Sequence, residues 1–397
     1  MESNPSKHRS DLDWLRVLVI LTVFVFHCGR FFDTDGWHVK NPVRHEGVMV
    51  WTGFLVTWMM PLIFFISGSS TWYALKSRSA GTFVKERALR LLVPLVLGIF
   101  THVAFQIYLE RKSFGGFTGS FFAFYPHYFQ GWYAFGGNFA WMGLHLWYLE
   151  MLFVYSILLL PLFVFLTEKT GDRILNQIGR WFAKPGLVYL LAIPPMILMS
   201  ALSPRSFWGQ GGFGGWPLPD YVFIFFYGFL LVSRGEIEVQ IEKLRSVSLS
   251  LGGILSFAAM GLWRSGANQD YGSARYICFF SLWAASSWCF VLGLFGLARR
   301  HLGFSNRFVR YANDGVLPFY VLHQSVILTV GFYVVRWNIP DLVKFAVIAI
   351  VSFTIIAGIY EFMIRRNNVM RFLFGMKIQR RRRPAYQTSG ACEPTNA

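Results

Sequence analysis

Ten stretches of mainly apolar residues, most of them long enough to cross a bilayer, constrain this chain more than any other feature. A helix needs about 20 such residues to span the hydrocarbon core, where its backbone must satisfy its own hydrogen bonds. Of 397 residues, 54% are hydrophobic and 14% are charged, whereas soluble domains carry about 25% charged residues. We therefore predict an all-α, polytopic helical membrane protein and exclude a soluble or disordered chain. The expected spans are residues 14–32, 48–75, 89–109, 144–166, 186–202, 218–232 (short), 247–263, 276–297, 315–335 and 342–364.

The distribution of basic residues predicts the orientation of these helices. Lys and Arg number 37 against 20 Asp and Glu, and they cluster between the apolar runs, so they indicate membrane topology and no nucleic-acid partner. With the N-terminus in the cytoplasm, the inner segments hold about three times as many Lys and Arg residues as the outer ones. Both termini are therefore expected inside. Residues 1–370 should form the transmembrane domain, and residues 371–397 a polybasic, disordered cytoplasmic tail that contacts anionic membrane lipid.

Two predicted external loops, residues 114–141 and 206–216, are rich in glycine and aromatic residues. Such loops are typical of interfacial aromatic belts, and they also suit stacking against sugar rings. Trp37 and Trp141 are expected near the same surface. The four cysteines form no Cys-x-x-Cys pattern, so neither a metal site nor a disulfide framework is predicted.

Ionisable residues inside the predicted spans are the candidate functional residues, because burying them in lipid is costly. Arg16 and His27 are 11 positions apart, which places them on one helix face and about 16 Å apart along the axis. Asp13 lies one turn before Arg16 and can pair with it. Glu150 and His323 lie deep in later spans, as does His145. A neutral imidazole can take a proton from an alcohol, although an isolated buried histidine is more often only a polar link between helices.

A second candidate set is the pair Arg87 and Arg90, three residues apart at the predicted cytoplasmic end of the third span. Two guanidiniums on one helix face can hold phosphate groups bidentately. The same pair is equally typical of simple positive-inside anchoring. The pattern alone leaves both interpretations open.

Five motifs together resemble the acyltransferase-3 family of integral membrane O-acyltransferases. Arg16 and His27 are similar to its Arg-x10-His signature, and residues 87–90 (RALR) to its Arg-x-x-Arg element. Residues 64–68 (FFISG), 146–150 (LWYLE) and 322–323 (LH) are similar to three further elements of that family. Residues 29–32 and 37–41 look most like a branch implicated in succinylating periplasmic glucans.

The resemblance implies transfer of an acyl group from cytoplasmic acyl-CoA, as acetyl-CoA or succinyl-CoA, to a hydroxyl of an extracytoplasmic glycan or glycolipid. The protein would be a multi-pass protein of the bacterial inner membrane. In the implied residue roles, Arg16, Arg87 and Arg90 hold the CoA phosphates, and His27 is a general base or an acyl carrier. Arg16, Glu150 and His323 assist catalysis: Glu150 or Asp13 would orient an imidazole or stabilise its cation, and His323 would be the partner or the acid. Asp13, Trp37, Trp141 and Trp147 bind substrate.

Three other functions remain as alternatives at this stage. A secondary transporter also places ionisable residues inside its spans, although the inverted repeats typical of that class are not visible here. A bis-histidine haem protein would need histidines on facing helices. A non-enzymatic glycan-assembly component would use only the aromatic loops. The oligomeric state, including a homodimer, is also left open.

Overall fold

The structure is a computed structural model that describes residues 9–204, 206 and 217–379. Within these residues the chain is helical, and its one isolated β-bridge joins Trp132 and Phe139. The helices are α1 (Ser10–Gly29), α2 (Glu46–Ser77), α3 (Ala80–Gly98), α4 (Ala104–Ser113), α5 (Phe121–Tyr128), α6 (Trp147–Leu158), α7 (Leu160–Thr167), α8 (Lys169–Phe182), α9 (Ile193–Ala201), α10 (Leu218–Leu231), α11 (Gly235–Arg264), α12 (Ala274–His301), α13 (Arg307–Val334), α14 (Asp341–Gly358) and α15 (Asn368–Leu373).

Seven helical segments of the described chain are long and apolar enough to cross a membrane. Two further pairs qualify only as bent units, α6 with α7 at 52° and α8 with Leu187–Ala201 at 112°, which gives up to nine. The predicted span 218–232 is α10, an apolar helix of only 14 residues. A helical membrane fold is therefore confirmed, whereas the count of ten and the cytoplasmic location of the termini stay predictions.

Polar residues at the helix starts explain several boundaries. The side chains of Ser79, Ser273 and Asn306 each accept a hydrogen bond from a backbone N–H in the first turn of α3, α12 and α13. These bonds satisfy donors that a helix start leaves unpaired. Between α3 and α4 the helix continues through a π-helical turn, Ile99–Val103, so one continuous segment of 34 residues, Ala80–Ser113, is formed.

Glycines bring α2 and α10 into direct backbone contact. A Cβ atom at Gly68 would lie 1.9 Å from the carbonyl oxygen of Phe225, and one at Gly228 would lie 2.1 Å from that of Phe65. Ser69 Oγ donates to the Gly228 carbonyl across the same contact, at 3.2 Å. Small residues at membrane helix interfaces permit such close approach. The glycine of the FFISG motif therefore has a packing role.

The helix α1 lies at the centre of the bundle, in contact with α2, α12, α13 and α14. By contrast, α11 and α14 present large apolar side chains outward; Phe257 is 81% exposed and Ile350 is 67% exposed. Exposed apolar side chains of this size are expected where a helix faces lipid. The ionisable residues on α1 are thus surrounded by protein.

Part of the predicted C-terminal tail packs against the helices. Arg371, Phe374 and Met376 are buried, and α15 contacts α3. Arg371 donates to the backbone carbonyls of Arg365 and Lys377, at 3.3 and 2.8 Å. Most of the predicted polybasic run, from residue 380 onward, lies outside the described residues, as does nearly all of the glycine-rich loop 206–216.

Candidate active site

Two histidines from opposite ends of the sequence meet inside the bundle. His27, near the end of α1, and His323, in the middle of α13, have ring centroids 4.8 Å apart, and His27 Nδ1 lies 3.3 Å from His323 Nε2. His27 Nδ1 also lies 2.7 Å from the Val23 carbonyl, and His323 Nδ1 lies 2.5 Å from the Tyr320 carbonyl. The structure thus brings together two residues that the sequence analysis assigned to catalysis.

These contacts assign the tautomers of both rings. A carbonyl can only accept, so Nδ1 must carry the proton in His27 and in His323. The Nδ1–H of His27 then points to both the Val23 carbonyl and the Nε2 lone pair of His323. His27 Nε2 is left with a lone pair. Its ring therefore has the arrangement of a positioned base, held in orientation by a second group.

His145 extends this cluster on the other side of His323, with ring centroids 5.1 Å apart. Its Nε2–H donates to the Val321 carbonyl at 3.1 Å, and its Nδ1 accepts from Gln106 at 3.3 Å. Gln106 also donates to Ser325 Oγ at 2.6 Å. Because every partner is neutral, the network fixes the imidazoles without placing a carboxylate beside them.

His27 and His145 line a cavity of about 970 Å³. Its walls contain many aromatic side chains, including all three tryptophans assigned to substrate binding, Trp37, Trp141 and Trp147. The Trp37 ring centroid is 6.1 Å from that of His27. The cavity extends to the segments 30–45 and 114–143, which we call the loop end of the bundle. Its size and aromatic lining suit a small organic substrate.

The segment 30–45 is folded over the cavity by a buried ionic cluster. Asp33 is fully buried and accepts from Arg30 and from Lys40, each at 2.7 Å. Burial lowers the pKa of the Lys40 ammonium, and the salt bridge with Asp33 opposes that shift. Asn41 links the same segment to α14 by donating a hydrogen bond to Asp341 at 3.0 Å. This cluster holds the chain in place directly after α1.

The opposite end of α1 carries a cluster of guanidinium groups, the arginine end. Arg16 donates to Asp13, Asn313 and Ser70, at 3.2, 3.1 and 2.7 Å. Asn313 donates to Asp13 in turn, at 3.0 Å. Asp13 is therefore a partner of Arg16 and does not line the cavity. The sequence prediction that these two residues pair is seen in the structure, whereas Asp13 is remote from the aromatic substrate-binding residues.

Arg87 and Arg90 lie at the same end. Arg87 donates to Thr71 Oγ1 at 2.9 Å, and Thr71 follows Ser70, the partner of Arg16, on α2. Arg87 also stacks over the Phe83 ring, 5.1 Å from its centroid. The three guanidiniums are close enough to repel one another. In the described chain neither Arg87 nor Arg90 has an ion pair, so no carboxylate neutralises these two guanidiniums there.

Two tyrosines lie between the arginine end and the histidines. Tyr148 shares a hydrogen bond of 2.6 Å with Ser67 of the FFISG motif, and its ring packs against Tyr320 at 5.6 Å. The Tyr320 ring lies 5.4 Å from His323, and its hydroxyl donates to the His145 carbonyl. Polar groups therefore follow one another from one end of the site to the other.

Glu150 lies apart from the imidazoles. Its Oε2 is buried without a hydrogen-bond partner among the described residues, and the side chain does not line the cavity. His145 lies in the 3₁₀ turn Leu144–Leu146, before α6 begins at Trp147, so Glu150 and His145 do not share one helix face. Within the described chain Glu150 makes no contact with an imidazole, so the structure gives no support to an orienting role for it. The group that orients His27 is His323.

Three functional candidates escaped the sequence analysis: His38, Glu110 and Asp220, all buried and all lining the cavity. Asp220 Oδ1 has no hydrogen-bond partner in the described part of the chain. Asp220 falls within the predicted span 218–232, so the rule that singled out His27 would have found it. Glu110 follows the predicted span 89–109 directly. His38 lies in a loop, within residues 37–41, for which the sequence offered only a resemblance to one branch of the family.

The fold and this arrangement define a multi-pass membrane protein with a buried pair of histidines, and comparison with known proteins gives its class. The family profile described as acyltransferase domain matches residues 9–361, so the chain belongs to the acyltransferase-3 family. The chain is accordingly a membrane acyltransferase, as the motifs predicted.

Curated relatives narrow the comparison further. Proteins named glucans biosynthesis protein C from Salmonella typhimurium and from Salmonella typhi are each 24% identical to this chain over 394 residues, covering 95% of it and 97% of the relative. The protein of the same name from Salmonella schwarzengrund is equally similar. No solved structure matches the chain.

Proposed function

We propose that this chain is an inner-membrane O-acyltransferase that moves a succinyl or acetyl group from cytoplasmic acyl-CoA to a hydroxyl of an extracytoplasmic glycan or glycolipid. The observation that carries the proposal is the fixed ring of His27, which lines the cavity, holds its Nδ1–H against Val23 and His323 and keeps a lone pair on Nε2. The family supplies acyl transfer. The relatives' name supports a glucan as acceptor.

In this proposal the arginine end faces the cytoplasm. Arg16, Arg87 and Arg90 there present guanidinium groups to the phosphates of CoA, which they are suited to bind in pairs of hydrogen bonds. His27 is about 16 Å further along α1, within reach of the extended pantetheine arm. The row of Ser67, Tyr148 and Tyr320 offers hydroxyl groups along that route.

The chemical step follows from the tautomer of His27. The acceptor hydroxyl gives its proton to Nε2, its oxygen bonds to the thioester carbonyl carbon, and the C–S bond breaks. The proton then passes to the CoA thiolate, so the products are an ester and CoA thiol. Charge that develops on His27 is shared through Nδ1–H with Val23 and His323. A two-step version, in which Nε2 first takes the acyl group, uses the same geometry.

The test is acyl transfer by the purified protein in nanodiscs, with acetyl-CoA or succinyl-CoA as donor and laminarihexaose, a soluble gluco-oligosaccharide, as acceptor. Release of CoA thiol and the mass of the oligosaccharide are followed. His27→Ala should lower turnover by about 10²-fold or more, the scale for loss of a general base. His127→Ala is the control, because His127 is exposed on α5 and lies outside the cavity lining.

Normal turnover by a folded His27→Ala protein would contradict the assignment. Uptake of the oligosaccharide into proteoliposomes without release of CoA would support a transporter instead. A reaction run without acceptor distinguishes the mechanism in which His27 is a base from the one in which it carries the acyl group. One equivalent of CoA released in a burst, with acyl mass on the protein, identifies His27 as an acyl carrier. Without a burst, His27 acts as a base.

A further inference from the structure

A second imidazole shares the cavity with His27. His38 donates Nδ1–H to Glu110 Oε2, and both side chains are buried. Tyr133 donates its hydroxyl to the same carboxylate oxygen at 2.8 Å, and Arg111 donates to the other oxygen at 3.1 Å. The carboxylate is thus held by three donors from three parts of the chain, and it fixes the His38 ring in one orientation.

The fixed tautomer leaves a lone pair on Nε2 of His38. In the described part of the chain this atom has no hydrogen-bond partner, although the side chain lines the cavity. Burial and the charge of Glu110 raise the pKa of the Tyr133 phenol, so its hydroxyl stays protonated and keeps donating to the carboxylate. The cavity therefore contains a preoriented acceptor for an O–H group, separate from His27.

The Trp37 indole lies between the two imidazoles. Its ring centroid is 6.1 Å from His27 and 5.7 Å from His38, and it lines the same cavity. A pyranose ring placed on an aromatic face exposes hydroxyl groups around its whole edge. One sugar residue stacked on Trp37 can therefore present one hydroxyl towards His27 and another towards His38.

We propose that Trp37 and His38, with Glu110 as positioning residue, form a subsite for one sugar residue of the acceptor, holding a hydroxyl other than the one that is acylated. The inference rests on the proposed function for the reaction at His27. It adds the acceptor class: a sugar with at least two free hydroxyls, in preference to an alcohol with one. A site built to hydrogen-bond a hydroxyl rejects analogues that lack it.

The experiment measures binding of laminarihexaose to the purified protein by calorimetry, without acyl-CoA, and binding of CoA in parallel. His38→Phe keeps an aromatic ring but loses the lone pair, so the Kd for the oligosaccharide should rise at least tenfold while that for CoA stays unchanged. His38→Gln offers a carbonyl oxygen and should recover part of the affinity. His127→Phe makes the same change on α5, away from the cavity, and should alter neither constant.

If the His38–Glu110 pair had only a structural role, His38→Phe would weaken binding of both the oligosaccharide and CoA, or of neither. Either result overturns the subsite. Failure of laminarihexaose to bind the unmodified protein also overturns it. Failure of the proposed function looks different: laminarihexaose binds, His38→Phe weakens that binding selectively, and no acyl group is transferred.

Discussion

The arginine end and the loop end of this bundle are built from different kinds of sequence. At the arginine end the side chains sit on helices and are anchored by neighbours on one turn of α2, Ser70 for Arg16 and Thr71 for Arg87. At the loop end the groups come from a loop after α1 and from the last turn of α4, as His38 and Glu110 do. The groups at the arginine end therefore all sit on helices, whereas those at the loop end combine a loop with the end of a helix.

The two ends also differ in charge. At the arginine end, Asp13 is the carboxylate that bonds to Arg16, and no ion pair neutralises Arg87 or Arg90 within the described residues. At the loop end, two cations are matched by two carboxylates, since Arg30 pairs with Asp33 and Asp35 and Lys40 pairs with Asp33. An unbalanced cluster suits a polyanion, and a balanced one suits a neutral, hydroxyl-rich ligand. We therefore expect substitutions at the arginine end to affect binding of the donor, and substitutions at the loop end to affect binding of the acceptor.

The largest effect should come from a change that disturbs both ends at once. Gly68→Leu places a side chain against the Phe225 carbonyl, where even a Cβ would lie 1.9 Å away. Overpacking a buried contact lowers the free energy of unfolding by up to about 3 kcal/mol, and occasionally by more. Thermal unfolding in detergent should therefore begin at a much lower temperature. Gly81→Leu is the control, since nothing lies within 4 Å of a Cβ there. Equal stability of both variants would refute close α2–α10 packing.

The next largest effect concerns the sidedness of the two ends. In a background without the four native cysteines, Phe135→Cys at the loop end should react with an impermeant maleimide in intact cells. Ser305→Cys, before α13 at the arginine end, should react at least tenfold less. Phe135 is 82% exposed, so a cysteine at this position is open to the reagent. The reverse pattern would invert the proposed orientation.

A smaller, selective effect is expected at the arginine end. Arg87→Ala should raise the KM for acyl-CoA about tenfold with little change in kcat, as loss of uniform binding does. Arg87→Lys should recover only part of this, because a single ammonium cannot replace the planar fork. The KM for laminarihexaose should stay constant in both. An equal rise in both KM values would show that the arginine end does not bind the donor separately from the acceptor.

The smallest effect should appear at His323. Its Nε2 accepts the His27 Nδ1–H at 3.3 Å, and one such hydrogen bond contributes about 1 kcal/mol. His323→Phe should therefore lower kcat by about fivefold and leave both KM values unchanged, while His323→Gln restores an acceptor and some of the rate. His45→Phe, an exposed histidine paired with Asp341, is the control. A fall as large as that of His27→Ala would make His323 a second base.

Sequence reasoning found what local spacing encodes. The 11-residue interval between Arg16 and His27 and the pairing of Asp13 with Arg16 depend only on helix geometry, so they follow from the spacing alone. The meeting of His27 with His323 depends on how α1 packs against α13, and the position of His38 depends on the ionic cluster around Asp33. Those are long-range contacts, which a single sequence does not encode in its spacing. The orienting role predicted for Glu150 finds no contact for the same reason, since it too depended on how helices face one another.

The short helix α10 has a consequence for the electric field across the protein. Its 14 residues rise about 21 Å, against a hydrocarbon core of about 30 Å, and most of its residues are shielded from lipid by the neighbouring helices. Asp220 and Tyr221 at its first turn line the cavity. Where water fills a cavity of this depth, the membrane voltage falls mainly across the thinner part of the protein that remains. In the proposed orientation a succinyl group carries its negative charge outward through that drop, helped by about 2.3 kcal/mol per 100 mV if it crosses the full potential. Succinyl transfer would then depend on voltage, and transfer of an uncharged acetyl group would not.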